Sequence, residues 1–154
     1  MPLPTSVPME HQRDSGPSPF AEVVLASDPA EARRFQDQIE QHLLQSSHAS
    51  PHEVFSIKLA LEEALINAIK HGNQMDRNKR VFISYRVNAE RFDIHITDEG
   101  KGFDPEEVPD PMAVENLERP CGRGLLLMRH YMNEVRYNAA GNEVHMSKLR
   151  NGTR

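Results

Sequence analysis

An α+β fold is predicted, with a mixed, mostly antiparallel sheet and about three helices packed on one of its faces. Segments of helical periodicity and segments of alternating apolar and polar residues follow one another in the order βα, α, ββ, loop, α, ββ. Strands joined by short turns favour antiparallel pairing, and amphipathic helices need an apolar surface to cover. The chain of 154 residues suits one domain with a modest core.

Composition and charge narrow the class of protein. Hydrophobic residues make up 38% and charged residues 27% of the chain, which is typical of a globular protein. The net charge of −5 argues against nucleic-acid binding, and no apolar run reaches the roughly 18 residues of a membrane span. The start of the chain lacks the basic and apolar segments of a secretory signal, and a single cysteine fits a reducing compartment. The expected location is therefore the cytoplasm.

The beginning of the chain predicts a tail and then a strand. Residues 1–19 hold five of the eleven prolines and almost no large apolar residues. We expect them to be a disordered, Pro-rich tail, which leaves 20–150 as the folded domain. The stretch FAEVVLAS, residues 20–27, is short and β-prone, and it predicts the first strand.

Two helices are predicted from their start signals and their periodicity. Asp28 followed by Pro29 opens the first helix, which extends to about residue 46. Ser50 followed by Pro51 opens the second in the same way, and Gly72 ends it. The expected core-facing residues are Ala32, Phe35, Ile39 and Leu43 in the first helix, and Val54, Ile57, Leu61, Ala64, Leu65 and Ala68 in the second.

Two hairpins and a third helix complete the predicted order. RVFISYRV and RFDIHITD alternate apolar and polar residues on either side of NAE, which predicts a hairpin. A loop rich in proline and acidic residues runs from Gly100 to about Pro120. The stretch GLLLMRHYMN predicts a third helix that opens directly on Gly122 and Gly124, and the last hairpin is expected to turn near Gly141.

Three polar residues stand out within the second helix. Glu63, Asn67 and His71 are four residues apart, and each such step turns only about 40° around a helix, so they share one line beside the core stripe. Burying a carboxylate and an amide is costly without partners. An amide oxygen at Asn67 suits Mg²⁺, and Glu63 one turn away would orient and deprotonate a nucleophile. The plain alternative is a solvated face that ends at a glycine.

Two glycine-containing motifs are placed next to regular elements. DEGKGFD follows a strand, so the Asp98 carboxylate can accept an exocyclic amine of a base while Gly100 and Gly102 leave room for a ligand. The plain alternative is an ordinary turn. In CGRGLLLM, Gly122 and Gly124 precede a helix, and free N–H groups at a helix start favour an anion. The plain alternative there is a loop followed by a core helix.

The order and context of these motifs resemble the N, G1 and G2 boxes of the GHKL ATPases. The small build, and the run EEALINAIKHGN in particular, are similar to the bacterial anti-sigma-factor serine/threonine kinases of that superfamily. The resemblance covers about residues 20–150 and implies the Bergerat, or histidine-kinase-like ATPase, fold. It also implies ATP and Mg as cofactors, Glu63 as the catalytic residue and Asn67 as the Mg ligand.

The resemblance also assigns nucleotide-binding residues. These are Asn67, Asp98, Gly100, Gly102, Arg119, Gly122, Arg123, Gly124, Leu125 and Asn142. Two departures from the family pattern affect this set. Relatives carry Thr after the glycine of the last hairpin, where this chain has Asn142, and Arg119 lies one residue further from the glycines than expected, so Arg123 competes with it for the terminal phosphate. His71 is expected to end the helix near the site without taking part in the chemistry.

The implied function is that of an ATP-dependent anti-sigma regulatory factor and protein serine/threonine kinase. Such a protein binds a sigma factor or phosphorylates an anti-sigma-factor antagonist of the STAS fold. The acidic loop from Gly102 to Gly122 would then differ between ATP and ADP states and so change partner affinity. No direct nucleic-acid or membrane partner is expected, and a homodimer is left open. The alternative is a nucleotide-sensing binding module that sequesters a regulatory partner without phosphoryl transfer.

Three histidines resemble a metal cluster by composition alone. They are His42, His48 and His52, and the last two lie on either side of the helix-opening Pro51. No set of carboxylates completes a site around them, so we expect them to lie on the surface.

Overall fold

Five strands and three α-helices make up the part of the chain that the structure, a computed structural model, describes: residues 19–45, 49–100 and 120–150. The elements are β1 (Ala21–Ala26), α1 (Pro29–Gln45), α2 (Pro51–Ile66), β2 (Arg80–Val87), β3 (Arg91–Thr97), α3 (Pro120–Tyr131), β4 (Glu134–Tyr137) and β5 (Glu143–Leu149). A π-helical turn, Asn67–Gly72, continues α2. The predicted order of elements is confirmed. The predicted tail, up to residue 18, and most of the predicted loop lie outside the described residues.

The strands form one sheet in the order β1-β2-β3-β5-β4. Every pairing between these strands is antiparallel, so the predicted α+β class with a mostly antiparallel sheet is confirmed. Ile83 faces Ile96 across β2 and β3, and Ile94 faces Met146 across β3 and β5. Because side chains alternate between faces along a strand, this register brings the apolar residues of neighbouring strands onto one face.

The helices bury their apolar stripes against that face. Every residue predicted to face the core from α1 and α2 is buried, in one cluster with the apolar residues of the strands and with Met128 of α3. Fully burying one such side chain stabilises a fold by roughly 1.5–3 kcal/mol. The core therefore follows from the two periodicities in the sequence, 3.6 in the helices and 2 in the strands.

The predicted helix starts are present. The Asp28 carboxylate accepts a hydrogen bond from the Ala30 N–H at 2.9 Å, and the Ser50 hydroxyl oxygen accepts one from the Glu53 N–H at 3.0 Å. Each bond satisfies an N–H that has no partner inside its helix, which is worth about 1 kcal/mol. None of the helices in the described ranges is long and apolar enough to cross a membrane.

A buried ion pair that the sequence alone does not indicate holds the end of the sheet to α2. Arg150, which follows β5, pairs its Nε with the carboxylate of Glu53, and both side chains are almost fully buried. The same guanidinium donates to the Asn88 carbonyl at 3.0 Å in the turn between β2 and β3. A buried charge is tolerated only when it is paired, so this contact fixes how the strand ends meet the start of α2.

Candidate functional site

Glu63 lies in the last turn of α2 and Asn67 directly after it, and the helix does not continue as an α-helix to Gly72. It changes into the π-helical turn at Asn67, where the Asn73 N–H bonds to the carbonyl of Ala68 at 2.8 Å, five residues back. The single long α-helix that we expected from the sequence is therefore wrong over its last six residues. Single π-helical turns are frequent at functional sites.

The π-helical turn brings Gly72 against Asp98, which follows β3. A Cβ built on Gly72 would lie 2.4 Å from the Asp98 carboxylate, and one on Gly100 would lie 2.0 Å from the Gly72 carbonyl oxygen. Among the described residues Gly141, with φ of 80°, is the glycine with a positive φ. Gly72 and Gly100 are therefore required for close approach and not for a positive φ.

Asp98 is 8% exposed, and its position limits its hydrogen bonds. One carboxylate oxygen accepts from the Gly100 N–H at 2.7 Å. Burial raises the pKa of Asp98, while that hydrogen bond and the positive charge of Lys79 lower it by less, so that the net shift is upward. A buried carboxylate beside a cavity can accept a hydrogen bond from an amine that enters the cavity.

The start of α3 lies over Glu63 and Asn67. A Cβ built on Gly124 would lie 2.8 Å from Glu63 Oε1 and 3.4 Å from Asn67 Nδ2, so the glycine lets α3 approach both side chains. The helix begins at Pro120, which corrects the prediction that it opens directly on Gly122 and Gly124. Proline is favoured at the first helical position because its φ is already helical and it lacks an N–H to satisfy.

This earlier start changes which groups can bind an anion. The first N–H groups of a helix have no intrahelical partner, and Gly122, the third residue of α3, carries one of them. The N–H of Gly124 lies two positions further, where an α-helix supplies a carbonyl four residues back. The Arg123 side chain, Gly102 and Arg119 lie outside the described residues, and Leu125 is buried in the core at 4% exposure. Their nucleotide contacts stay predictions.

The turn of the last hairpin contacts Asp98 through Asn142. The Asn142 side-chain amide donates to the Asp98 carbonyl at 3.0 Å, and the Asp98 N–H donates to the Asn142 carbonyl at 2.9 Å. Asn138 organises the turn, because its side-chain oxygen accepts from the N–H groups of Gly141 and Asn142. Asn142, where relatives are expected to carry Thr, is thus held against the backbone of the predicted base-binding residue Asp98.

A cavity lies between the π-helical turn, the end of β3 and this hairpin. Its lining comprises Ala64, Asn67, Ala68, His71, Gly72, Ile96, Asp98, Tyr137, Gly141, Asn142 and Val144. A larger groove of about 490 Å³ separates α1 from α2, but none of the predicted site residues lines it. We therefore assign the site to the smaller cavity, of about 80 Å³, where an apolar wall meets convergent polar groups.

Tyr137 and Asn73 were not identified from the sequence. Tyr137 lines the cavity with an aromatic ring, and its place in an alternating strand gave no sign of that. Asn73 is fully buried behind Asp98, and Asx residues after helices are common enough to carry no signal. His71 lines the cavity as expected, and its pKa is lowered by burial and then by the charge of Lys70, so that it is neutral at pH 7.

The residues present fit a Mg²⁺ ion. Asn67 is 9% exposed, and its side-chain oxygen is buried with no hydrogen-bond partner in the described part of the chain. Leaving such an acceptor unmade costs about 1–3 kcal/mol, which a bound cation would remove. Within the described ranges no three His, Cys, Asp or Glu side chains cluster as a metal site. Mg²⁺ suits a site with so few protein ligands, because it keeps several waters and takes substrate phosphates as ligands.

The prediction that three histidines lie on the surface is confirmed for the two that the structure describes. His42 and His52 are both exposed, and His48 lies outside the described residues.

Comparisons with known proteins point in one direction. The histidine kinase-like ATPase domain family matches residues 25–148. The chain is 34% identical to the serine-protein kinase RsbW of Bacillus subtilis, over 66% of this chain and 68% of that protein. It is 28% identical to the serine/threonine-protein kinase BtrW of Bordetella bronchiseptica, over 60% and 67%. It is 35% identical to the anti-sigma F factor of Anoxybacillus flavithermus, over 59% and 64%.

The fold comparison agrees. A crystal structure of the RsbU and RsbW domains of a Mycobacterium tuberculosis protein superposes with a TM-score of 0.58 at 17% identity, covering 90% of this chain and 35% of the other. At that identity the likeness shows the fold alone. The sequence matches confirm the resemblance inferred from the three motifs, and this chain spans about two thirds of the curated relatives' length.

Proposed function

Because the chain belongs to the histidine kinase-like ATPase family, in its anti-sigma-factor serine kinase branch, we propose that it phosphorylates a small antagonist protein of the STAS fold. The phosphoryl group passes from ATP, with Mg²⁺, to a serine or threonine of the antagonist. In its other state the protein holds a sigma factor. ATP binding follows from the family, whereas the metal ion, both partners and the cytoplasmic location are parts of this proposal.

One observation supports an enzyme more than a binding module. Gly124 brings the start of α3 to within contact of both the Glu63 carboxylate and the Asn67 amide. A metal-type oxygen ligand and a carboxylate thus meet where a helix start favours phosphate groups. Nucleotide binding alone does not require a carboxylate at that point, because a negative charge there repels phosphate.

Each residue then has a defined task. Asn67 Oδ1 would hold Mg²⁺, and the ion would neutralise charge on the phosphate groups. The Asp98 carboxylate accepts the adenine amine, and Tyr137 supplies an aromatic wall for the base. The Glu63 carboxylate orients the acceptor hydroxyl and receives its proton as the hydroxyl oxygen bonds to the γ-phosphorus and the bond to the ADP oxygen breaks.

The test is phosphoryl transfer by the wild type and two matched variants. The protein is incubated with radiolabelled ATP, Mg²⁺ and each STAS protein from its own genome, and nucleotide binding is measured in parallel. Glu63→Gln should bind ATP nearly normally while the rate of transfer falls roughly 10²- to 10⁴-fold, the usual contribution of general base catalysis. Glu62→Gln is the control, since Glu62 is exposed and lines the groove between α1 and α2 on the other side of the helix.

The outcomes separate the two functional classes. Transfer that is lost in Glu63→Gln and kept in Glu62→Gln supports the kinase. Normal transfer by Glu63→Gln contradicts the role of Glu63. Nucleotide-dependent binding of an antagonist by the wild type, with no transfer to any STAS protein, contradicts the kinase and leaves a module that sequesters its partner.

A further inference from the structure

Asn73 has a fully buried side chain, and both the nitrogen and the oxygen of its amide form hydrogen bonds within the protein. Its amide nitrogen donates to the Ser27 hydroxyl oxygen at 2.9 Å and to the Arg80 carbonyl at 3.0 Å. Its side-chain oxygen accepts from the Glu99 N–H at 2.8 Å. One residue just after the π-helical turn therefore bonds to the end of β1, the start of β2 and the residue that follows Asp98.

The third of these bonds acts on the predicted base-binding residue. The N–H of Glu99 and the carbonyl of Asp98 belong to one peptide unit. Asn73 holds the N–H side of that unit, and the Asn142 side chain holds its carbonyl side at 3.0 Å. Two asparagine amides therefore fix the plane of a single peptide from opposite ends. The Asp98 N–H, which donates to the Asn142 carbonyl at 2.9 Å, holds the preceding peptide, and the two peptides together set the direction of the Asp98 Cα–Cβ bond.

The space around Asp98 makes its position sensitive to this peptide. The carboxylate lies so close to the helix end that a Cβ on Gly72 would be 2.4 Å from it, and Gly100 is packed on the Gly72 backbone. A rotation of the peptide cannot be absorbed by moving the carboxylate toward the helix. It would move the carboxylate along the cavity, and a hydrogen bond to a ligand weakens steeply with angle.

We propose that Asn73 is a positioning residue for base recognition: together with Asn142 it aims the Asp98 carboxylate at the amine of adenine and so determines the preference for ATP over GTP. This inference rests on the proposed function of the site. Adenine offers an amine donor where guanine offers a carbonyl acceptor, so a correctly aimed carboxylate favours adenine and opposes guanine. A misdirected carboxylate loses part of both effects.

Two variants separate positioning from mere stability. Asn73→Ala removes all three hydrogen bonds, including the one to Glu99. Asn73→Asp keeps an oxygen for the Glu99 N–H but loses both donors, and it turns a carboxylate oxygen toward the Arg80 carbonyl. Ser27→Ala is the matched control, because it disturbs the same buried amide on the side away from Glu99. All three should be less stable than the wild type.

The experiment measures the affinities of the wild type and the three variants for ATP and for GTP by calorimetry, with Mg²⁺, at a temperature where circular dichroism shows each variant folded. The ratio of the two affinities does not depend on the folded fraction. Asn73→Ala should reduce the preference for ATP roughly fivefold to tenfold, as expected for one misdirected hydrogen bond. Ser27→Ala and Asn73→Asp should keep the ratio within about twofold of the wild type.

Each outcome decides the question. An unchanged ratio in Asn73→Ala overturns the proposal, and so does a ratio that falls in Ser27→Ala as far as in Asn73→Ala. If Asn73→Ala does not fold, Asn73→Asp decides: a kept preference in this destabilised variant supports positioning, and a lost preference contradicts it. A wild type that binds neither nucleotide, or binds both equally, contradicts the proposed function of the site and with it the premise of this inference.

Discussion

Asp93 and Asp98 are two buried carboxylates five residues apart. The surroundings of Asp93 indicate a structural role, and those of Asp98 suit the binding of a ligand. Asp93 lies within β3 at 2% exposure, and Asp98 follows the strand at 8%. Alternation along the strand places Asp98 toward the helix-covered face and Asp93 on the opposite face of the sheet. Burial disfavours the ionised form of both acids, and the protein compensates for this cost differently in the two.

Asp93 is saturated by donors from the protein itself. Its carboxylate accepts a hydrogen bond from the Ser147 hydroxyl at 2.7 Å and forms ion pairs with Arg86 and Arg91, each at 2.9 Å. Burial by itself would raise the pKa of Asp93, but the bonds from Ser147, Arg86 and Arg91 outweigh it and hold the pKa below its usual range. This carboxylate is ionised, and its partners come from both neighbouring strands and from β3 itself.

Asp98 receives much less from its surroundings. The Gly100 N–H and the more distant charge of Lys79 do not outweigh burial, and the pKa of Asp98 is raised. A buried carboxylate with this shift, beside a cavity, has acceptor capacity that a ligand can use. The comparison shows that burial alone does not mark a binding acid. The sign of the pKa shift separates the two acids here, because it records whether the protein itself supplies enough donors to outweigh burial.

The largest effect expected from this comparison is a loss of stability in Asp93→Asn. The amide cannot neutralise Arg86 and Arg91, and breaking a fully buried ion pair costs about 3–5 kcal/mol. The Arg91 side chain is 37% exposed, so solvent screening reduces the expected loss in the free energy of unfolding to about 2–3 kcal/mol. Urea denaturation measures this loss, and ATP affinity should stay unchanged.

An exposed pair provides the control for that measurement. Lys58 and Glu40 bridge α2 and α1 at 2.9 Å, with side chains 41% and 30% exposed. Glu40→Gln should cost less than about 1 kcal/mol, as surface pairs do. A similar loss in Glu40→Gln and Asp93→Asn would contradict a structural role for Asp93. A large fall in ATP affinity in Asp93→Asn would show that Asp93 and Asp98 are not separated in function.

The fold was predictable from the sequence because its signals are local. The caps at Asp28 and Ser50, the apolar periods of the helices and the alternation of the strands each need only neighbouring residues. The π-helical turn was not predictable, because it depends on Gly72 meeting Asp98 across 26 residues of chain. The start of α3 predicted from Gly122 and Gly124 is too late, because the helix begins at a proline, Pro120, as α1 and α2 do.

The sequence singles out residues that the structure brings together at the candidate site, but it does not indicate the residues that hold them in place. Glu63, Asn67 and Asp98 stood out because each breaks a pattern or follows a strand. Asn73 and Asp93 did not, because each is one polar residue whose partners come from distant strands. A sequence shows that a residue is polar, and the fold alone shows whether the protein itself satisfies it.

The second prediction reverses the first: in Asp98→Asn the affinity for ATP should fall and the stability should not. Asp98→Asn should weaken ATP binding by roughly tenfold to a hundredfold, or about 1.5–3 kcal/mol, because a charged acceptor for the adenine amine is lost. The free energy of unfolding should not fall, since the ionised carboxylate is disfavoured by burial. Calorimetry with ATP and urea denaturation of the same preparation measure both quantities, with Asp93→Asn as the control variant.

Two results would contradict this assignment. Unchanged ATP affinity in Asp98→Asn would show that the carboxylate does not contact the base. Loss of affinity together with a loss of stability as large as that of Asp93→Asn would make Asp98 a structural acid like Asp93.

The smallest effect is a difference in how stability depends on pH. A carboxyl with a lowered folded pKa stabilises the protein above its ordinary pKa of 3.8, and this contribution is lost as the pH falls through the folded pKa. A carboxyl with a raised folded pKa costs stability once it is ionised. That cost is complete above the raised pKa and disappears as the pH falls toward 3.8.

The stability of the wild type relative to Asp93→Asn should therefore increase with pH in the acid range, and its stability relative to Asp98→Asn should decrease. Urea denaturation from about pH 3 to pH 6 measures both differences, since groups that titrate alike in wild type and variant cancel. His145 lies 3.5 Å from Asp93 and also titrates abnormally, because burial and then the charge of His95 lower its pKa against the opposing effect of Asp93. All proteins are therefore compared in a His145→Gln background. Two differences that change with pH in the same direction would mean that the two carboxylates are compensated alike.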